Sequence, residues 1–152
     1  MIEIEVQRMV DDPRVPDDQC FSSWAKAVLG QENSAVVNLR VVDEAESWAL
    51  NREWRGKESA TNVLSFPADM PLVDGMRVLG DVVLCAPVIE QEASEQGKSL
   101  DAHWAHLVIH GLLHLLGFDH INGEQARQME AREIELLAGL GFSNPYETSH
   151  GI

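Results

Sequence analysis

The sequence predicts a single α/β or α+β domain spanning residues 1–152, a small mixed sheet covered by about five helices. Three observations point there. Short strand-like runs are interleaved with segments of helical period, in the order β-α-β-α-β-β-α-α-α. The chain has 152 residues, the size of one domain, and 45% of them are hydrophobic, enough for one sizeable core. The longest apolar-rich stretch, around Trp104 to Phe118, is interrupted by His110 and His114, so it reads as a buried helix and not a membrane span.

Each element has a local reason. Residues 2–8 alternate apolar and polar like a half-buried strand. Two Asp/Pro clusters over 11–18 mark a loop that ends in a helix start. A helix over about 17–29 follows, with Phe21, Trp24, Ala25 and Val28 on one side. The β-branched run 35–42 is a strand. Asp43 followed three residues later by Glu46 is close to a capping box and opens a helix to about Trp54. A polar loop over 55–61 leads to a short strand, 62–66, stopped by Pro67. A loop with Asp74-Gly75 precedes the strand 79–85. Pro87 suits the first turn of the next helix, which Gly97 stops. The histidine helix spans roughly 100–116. A last helix covers about 123–140, with Met129, Ile134, Leu136 and Leu137 as its apolar face, and the remaining tail reads as irregular.

The net charge is −14, from 25 acidic and 11 basic residues. That argues against broad electrostatic binding of nucleic acid, which needs basic surface to displace counterions, and leaves room for a local basic patch. Arg52, Arg55 and Lys57 form one. Cys20 and Cys85 have no close partner in sequence, and the N-terminal residues lack the pattern of a signal peptide, so a cytoplasmic protein with reduced thiols is expected.

Five of the six histidines fall between 103 and 120. His110 and His114 lie one helical turn apart, about 6 Å along the axis, so they share a face. Gly117 suits a left-handed turn that ends the helix and lets the chain aim His120 at the same point. Three imidazoles around an open fourth position make a reactive zinc site. His106, His110 and His114 also fall at steps of four, but they would span about 12 Å, too far to share one metal. His103 and His106 therefore read as supporting or packing groups. The spacing matches the long zinc-peptidase motif except at Gly111, where the peptidase keeps the glutamate that serves as its base. Asp119 is a candidate to orient a ligand or a water, and equally a turn residue. Glu124 belongs more naturally to the first turn of the last helix. An arginine fork such as Arg55 can hold two oxygens of a phosphodiester, although an Arg-Gly-Lys alone is usually a solvated turn.

Several blocks occur in order: Arg55-Gly56-Lys57, Thr61 to Pro67, Leu79-Gly80-Asp81, His103-Trp104-Ala105-His106, and His110-Gly111-x-x-His114-Leu115-x-Gly117-Phe118-Asp119-His120. Together they resemble the bacterial YbeY family of metal-dependent endoribonucleases in ribosomal RNA maturation, over about residue 35 to Tyr146. The resemblance implies one Zn2+ per chain, bound by His110, His114 and His120, with Arg55 and His114 as the catalytic residues. His106, Asp119, Lys57 and Ser65 join them as candidate supporting or substrate-facing residues. It implies a mixed four-stranded sheet like the metal-binding half of metzincins. The implied activity is cleavage of single-stranded RNA by metal-hydroxide phosphodiester hydrolysis. The implied roles are 16S rRNA 3′-end maturation and ribosome quality control. Implied partners are rRNA, the small ribosomal subunit, ribosomal protein S11 and the GTPase Era, with no membrane. Two positions depart from the family pattern: Ala60 stands where many members have proline, and Asn62 where many have aspartate.

Two other readings compete. One is a metallohydrolase with a non-RNA substrate, since an acidic surface repels free RNA. The other is a non-catalytic zinc-containing ribosome-assembly factor that docks on basic proteins. A fourth protein ligand, such as His106 or Asp119, would favour the second. Imidazole ligands also suit nickel, copper or iron.

Overall fold

The three parallel strands and the one reversed strand follow from how the chain crosses the sheet. β1 (Ile2–Arg8), β2 (Ala35–Val42) and β4 (Arg77–Cys85) run parallel, while β3 (Val63–Pro67) is antiparallel to β4, in the order β1-β2-β4-β3. The crossover from β1 to β2 carries α1 (Asp18–Leu29), and the route from β2 carries α2 (Glu44–Arg55) before β3. Three helices then follow in sequence: α3 (Ala86–Gln96), α4 (Leu100–Leu115) and α5 (Gly123–Gly139). The computed structural model describes residues 2–30, 32, 34–119 and 122–147. His120 lies outside the described residues.

The expected element order holds throughout, and the caps explain the boundaries. Asp17, Asp43, Ser99 and Asn122 each accept the backbone N–H three residues on, at the starts of α1, α2, α4 and α5. Glu46 does not complete a capping box; its carboxylate accepts instead from Arg40 on β2. α2 runs one residue further than its sequence suggests. Arg55 is thus its last residue and not part of the loop. β4 starts two residues earlier than expected, at Arg77, where it pairs with Ala35.

α4 lies across one face of the sheet and is the most buried helix by its own composition. Trp104, Val108, Ile109 and Leu112 are fully buried in one cluster with Phe21 of α1 and Leu39 of β2. Each such side chain contributes about 1.5–3 kcal/mol by leaving water. A smaller cluster on the other face holds Val42, Leu64, Val83 and Cys85, with Leu50 of α2 and Val88 of α3 against it. β3 is an edge strand, so its outer side stays open between α2 and α4.

Gly111 sets how closely α4 approaches this edge. A Cβ there would sit 2.5 Å from Val82 Cγ1 and 3.2 Å from both Ser65 Oγ and Val63 Cγ2. The glycine lets the helix backbone rest on the strands, and the Ser65 hydroxyl donates to the Gly111 carbonyl at 2.9 Å.

Candidate functional site

The i, i+4 spacing of His110 and His114 brings their rings to a centroid separation of 4.7 Å, with the two Nε2 atoms 3.2 Å apart. Two nitrogens bound to one tetrahedral zinc lie about 3.3 Å apart, given bonds of about 2.0–2.1 Å. The donor pair therefore has the spacing of two corners of such a site. The helix ends directly after it. Gly117 adopts φ 101°, its N–H reaches the His114 carbonyl, and the Phe118 N–H reaches the Leu113 carbonyl. This is the Schellman arrangement that the glycine's position suggests.

The other side of His110 meets a closed polar network. His106 Nε2 lies 2.7 Å from Glu133 Oε2, and His110 Nδ1 lies 3.4 Å from Glu133 Oε1. The Tyr146 hydroxyl donates to both Glu133 oxygens at 2.8 and 2.9 Å. An ionised carboxylate only accepts, so both ring nitrogens facing it carry protons. His110 Nε2, the other ring nitrogen, is the one that faces His114. Burial opposes charge on Glu133, but the hydrogen bonds from His106 and His110 and the nearby imidazoles overcome it and pull the carboxyl to about 2. Burial and the same carboxylate push the Tyr146 hydroxyl up. Ligand atoms of His106, His110 and Glu133 all lie within 4.8 Å of one another, so this group is a second conceivable metal cluster among the described residues. Glu133 is only 1% exposed and already receives short hydrogen bonds on both oxygens, which suits a brace better than an open coordination site.

Above the Nε2 pair lies a cleft of about 660 Å³ that follows the outer side of β3. His110, His114 and Asp119 line one side, Thr61 to Pro67 the strand between, and Trp54 and Arg55 from the end of α2 the other side. Arg55 is exposed and forms no ion pair among the described residues, whereas Arg52 reaches Glu58 at 3.8 Å and covers the Trp48 ring. Ser65 lines the cleft, with its hydroxyl tied to Gly111. Lys57 sits in the exposed loop after α2 and does not line the cleft. His106 lies behind His110, against Glu133. His103 is buried with Nε2 2.9 Å from a Glu92 oxygen. Burial lowers its pKa, while Glu92 opposes that shift. Asn62 donates to both Glu92 oxygens, at 3.0 and 3.3 Å. An amide serves there because an aspartate would face Glu92 with like charge.

Sequence reasoning misses Glu133, Tyr146, Glu92 and Trp54. Glu133 carries a signal in retrospect: Met129, Glu133 and Leu137 fall at steps of four, and all three are buried. A glutamate within an apolar stripe marks a buried partner. Tyr146 carries no such signal, because its place depends on the turn over 144–147 that follows α5.

The chain has relatives among known proteins. A family model described as Endoribonuclease YbeY matches residues 7–141. A protein from Pseudomonas putida (strain W619) named Endoribonuclease YbeY is 54% identical over 149 residues, covering 96% of this chain and 94% of the relative. One of the same name from Methylococcus capsulatus is 52% identical over 146 residues, covering 96% of each. Among solved structures, the solution structure of a Thermotoga maritima protein aligns with a TM-score of 0.57 and 24% identity. It covers 97% of this chain and 99% of that one, a likeness of fold.

Proposed function

The chain belongs to the YbeY endoribonuclease family, and from that premise we propose that it is a zinc-dependent enzyme that cuts single-stranded RNA at the cleft between α2 and α4. It is an endoribonuclease, a hydrolase of phosphodiester bonds. The observation that carries the finer reading is the meeting of Arg55 with the His110 and His114 pair on one cleft.

In this reading His110 and His114 would hold the metal through Nε2, with His120 as the third ligand. The Nε2 separation fits two zinc ligands, and Glu133 fixes the His110 ring through Nδ1. A zinc ion held this way supplies Lewis acidity and a more acidic water. Arg55 holds non-bridging phosphate oxygens and offsets their charge as it builds up. Asp119 lines the same cleft and is one candidate proton acceptor in this reading, a water being the other. Ser65 keeps α4 against β3 and so holds the histidines at the strand.

A peptidase needs a glutamate at position 111. The surroundings of Gly111 are filled by Val82, Ser65 and Val63, so that position serves packing. The same reading places the enzyme in the cytoplasm, in maturation of the 16S rRNA 3′ end and ribosome quality control. Its partners there are the small ribosomal subunit, S11 and Era. A net charge of −14 suits docking on basic ribosomal proteins, which would deliver it to RNA that its own field repels. No helix among the described residues is long and apolar enough to cross a membrane.

The test uses purified protein of known metal content on a short single-stranded RNA. Wild type should cleave it and His114→Ala should not; equal cleavage by the two would sink the assignment.

A further inference from the structure

Trp54 is the odd residue of the cleft. It is 63% exposed, more than most large apolar side chains of the described residues, and it stands beside Arg55 on the last turn of α2. Phe66 of β3 meets it edge-on, with centroids 6.0 Å apart and planes at 68°. That contact holds the indole in place without covering it. Both rings line the same cleft as His110 and His114.

We propose that Trp54, steadied by Phe66, is a stacking platform for one unpaired base of the RNA, and so a source of the enzyme's single-strand preference. The inference rests on the RNA reading above and names a contact within it. Three features support it. An indole offers a flat face to any base, and a base can reach it only when it is free of a duplex stack. A chain with net charge −14 gains little from the general phosphate attraction that most RNA-binding proteins use, so a contact that does not depend on charge fills that need. The neighbouring Arg55 lines the same cleft and can hold a phosphate while Trp54 holds a base, which fixes the strand at two points.

The experiment compares wild type, Trp54→Ala and Trp54→Phe, all metal-loaded, on one unstructured oligoribonucleotide and on its duplex. A set of the same strands, each with one abasic residue moved stepwise along it, completes the design. Trp54→Ala should raise KM on the single strand roughly fivefold to a hundredfold, with kcat little changed, and Trp54→Phe should recover most of that loss. The ratio between single strand and duplex should fall in step. One abasic position should weaken wild type as much as Trp54→Ala does, and should weaken Trp54→Ala no further. The loss should persist at high salt. Trp54 is largely exposed, so its truncation leaves the core intact. If wild type cleaves and Trp54→Ala keeps its KM and its strand preference, the stacking contact is wrong and the RNA reading stands. The stacking contact is equally wrong if no abasic position couples to Trp54. If wild type does not cleave RNA at all, both readings fall.

Discussion

The two nitrogens of His110 face opposite kinds of surroundings. Its Nδ1 looks onto Glu133, a carboxylate 1% exposed and held by His106 and Tyr146 as well. Its Nε2 looks onto His114 and the cleft that Arg55 lines. One side is closed and saturated with hydrogen bonds, and the other is open to a substrate. The difference teaches how a flexible ring becomes a precise donor. In the proposed site the closed side would hold the tautomer and the plane, and Nε2 on the open side would be the atom offered to the metal.

Substitutions on each side should separate the two roles. His114→Ala acts on the open side and should have the largest effect. It removes one donor of the pair, so metal content should fall and cleavage should drop by about a thousandfold or more, as read by metal analysis and an RNA assay. Arg55→Ala should cost about a hundredfold in kcat/KM with metal content unchanged, since its forked donor is lost and the donor pair is not touched. Glu133→Gln, on the closed side, should weaken metal affinity about tenfold to a hundredfold while the protein still loads at high metal. A total failure of Glu133→Gln to load would instead make Glu133 a ligand and reverse the comparison.

A second buried carboxyl sharpens the point with a smaller effect. Glu90 of α3 is mostly buried like Glu133, but it sits beside Asp12 as well as Arg14, whose Nη2 lies 2.9 Å from Glu90 Oε1. Burial, then the hydrogen bond and charge of Asp12, raise it from 4.5 to about 7, with Arg14 opposing. The sign follows from the two states. Between pH 4.5 and 7 the folded chain keeps a proton that the unfolded chain releases, so this group's contribution to stability falls as pH rises through that window. Glu90→Gln should therefore gain stability relative to wild type at about pH 8, by about 1–3 kcal/mol once the lost pair with the exposed Arg14 is set against the relieved charge, and lose that advantage near about pH 4.5. Urea melts at both pH values check it. Glu133, pulled down by its donors, has the opposite slope.

Periodicity makes the fold legible because most elements carry a one-sided pattern and their own caps. The alternation of β1, the β-branched run of β2 and the acidic, amide or hydroxyl residue before four of the helices are local signals. The sequence also singles out Arg55, His110 and His114, and the fold puts all three around one cleft. Glu133 stays hidden because a glutamate on a charged helix reads as solvated, and only the distant His106 and His110 make it a buried one. Gly111 reads in sequence as a missing base. In the fold it is a packing requirement of α4, set by Val82 on β4 and Ser65 on β3. Lys57 belongs to the same basic run as Arg55, but the cap at the end of α2 leaves it outside the cleft lining.

The most direct test of this two-sided histidine is the position of the metal itself, from anomalous diffraction at the zinc edge on crystals of the metal-loaded enzyme. The expected result is one peak in the cleft, about 2.0–2.1 Å from Nε2 of both His110 and His114, with Glu133 still bonded to His110 Nδ1. A peak enclosed by His106, His110 and Glu133 would contradict it.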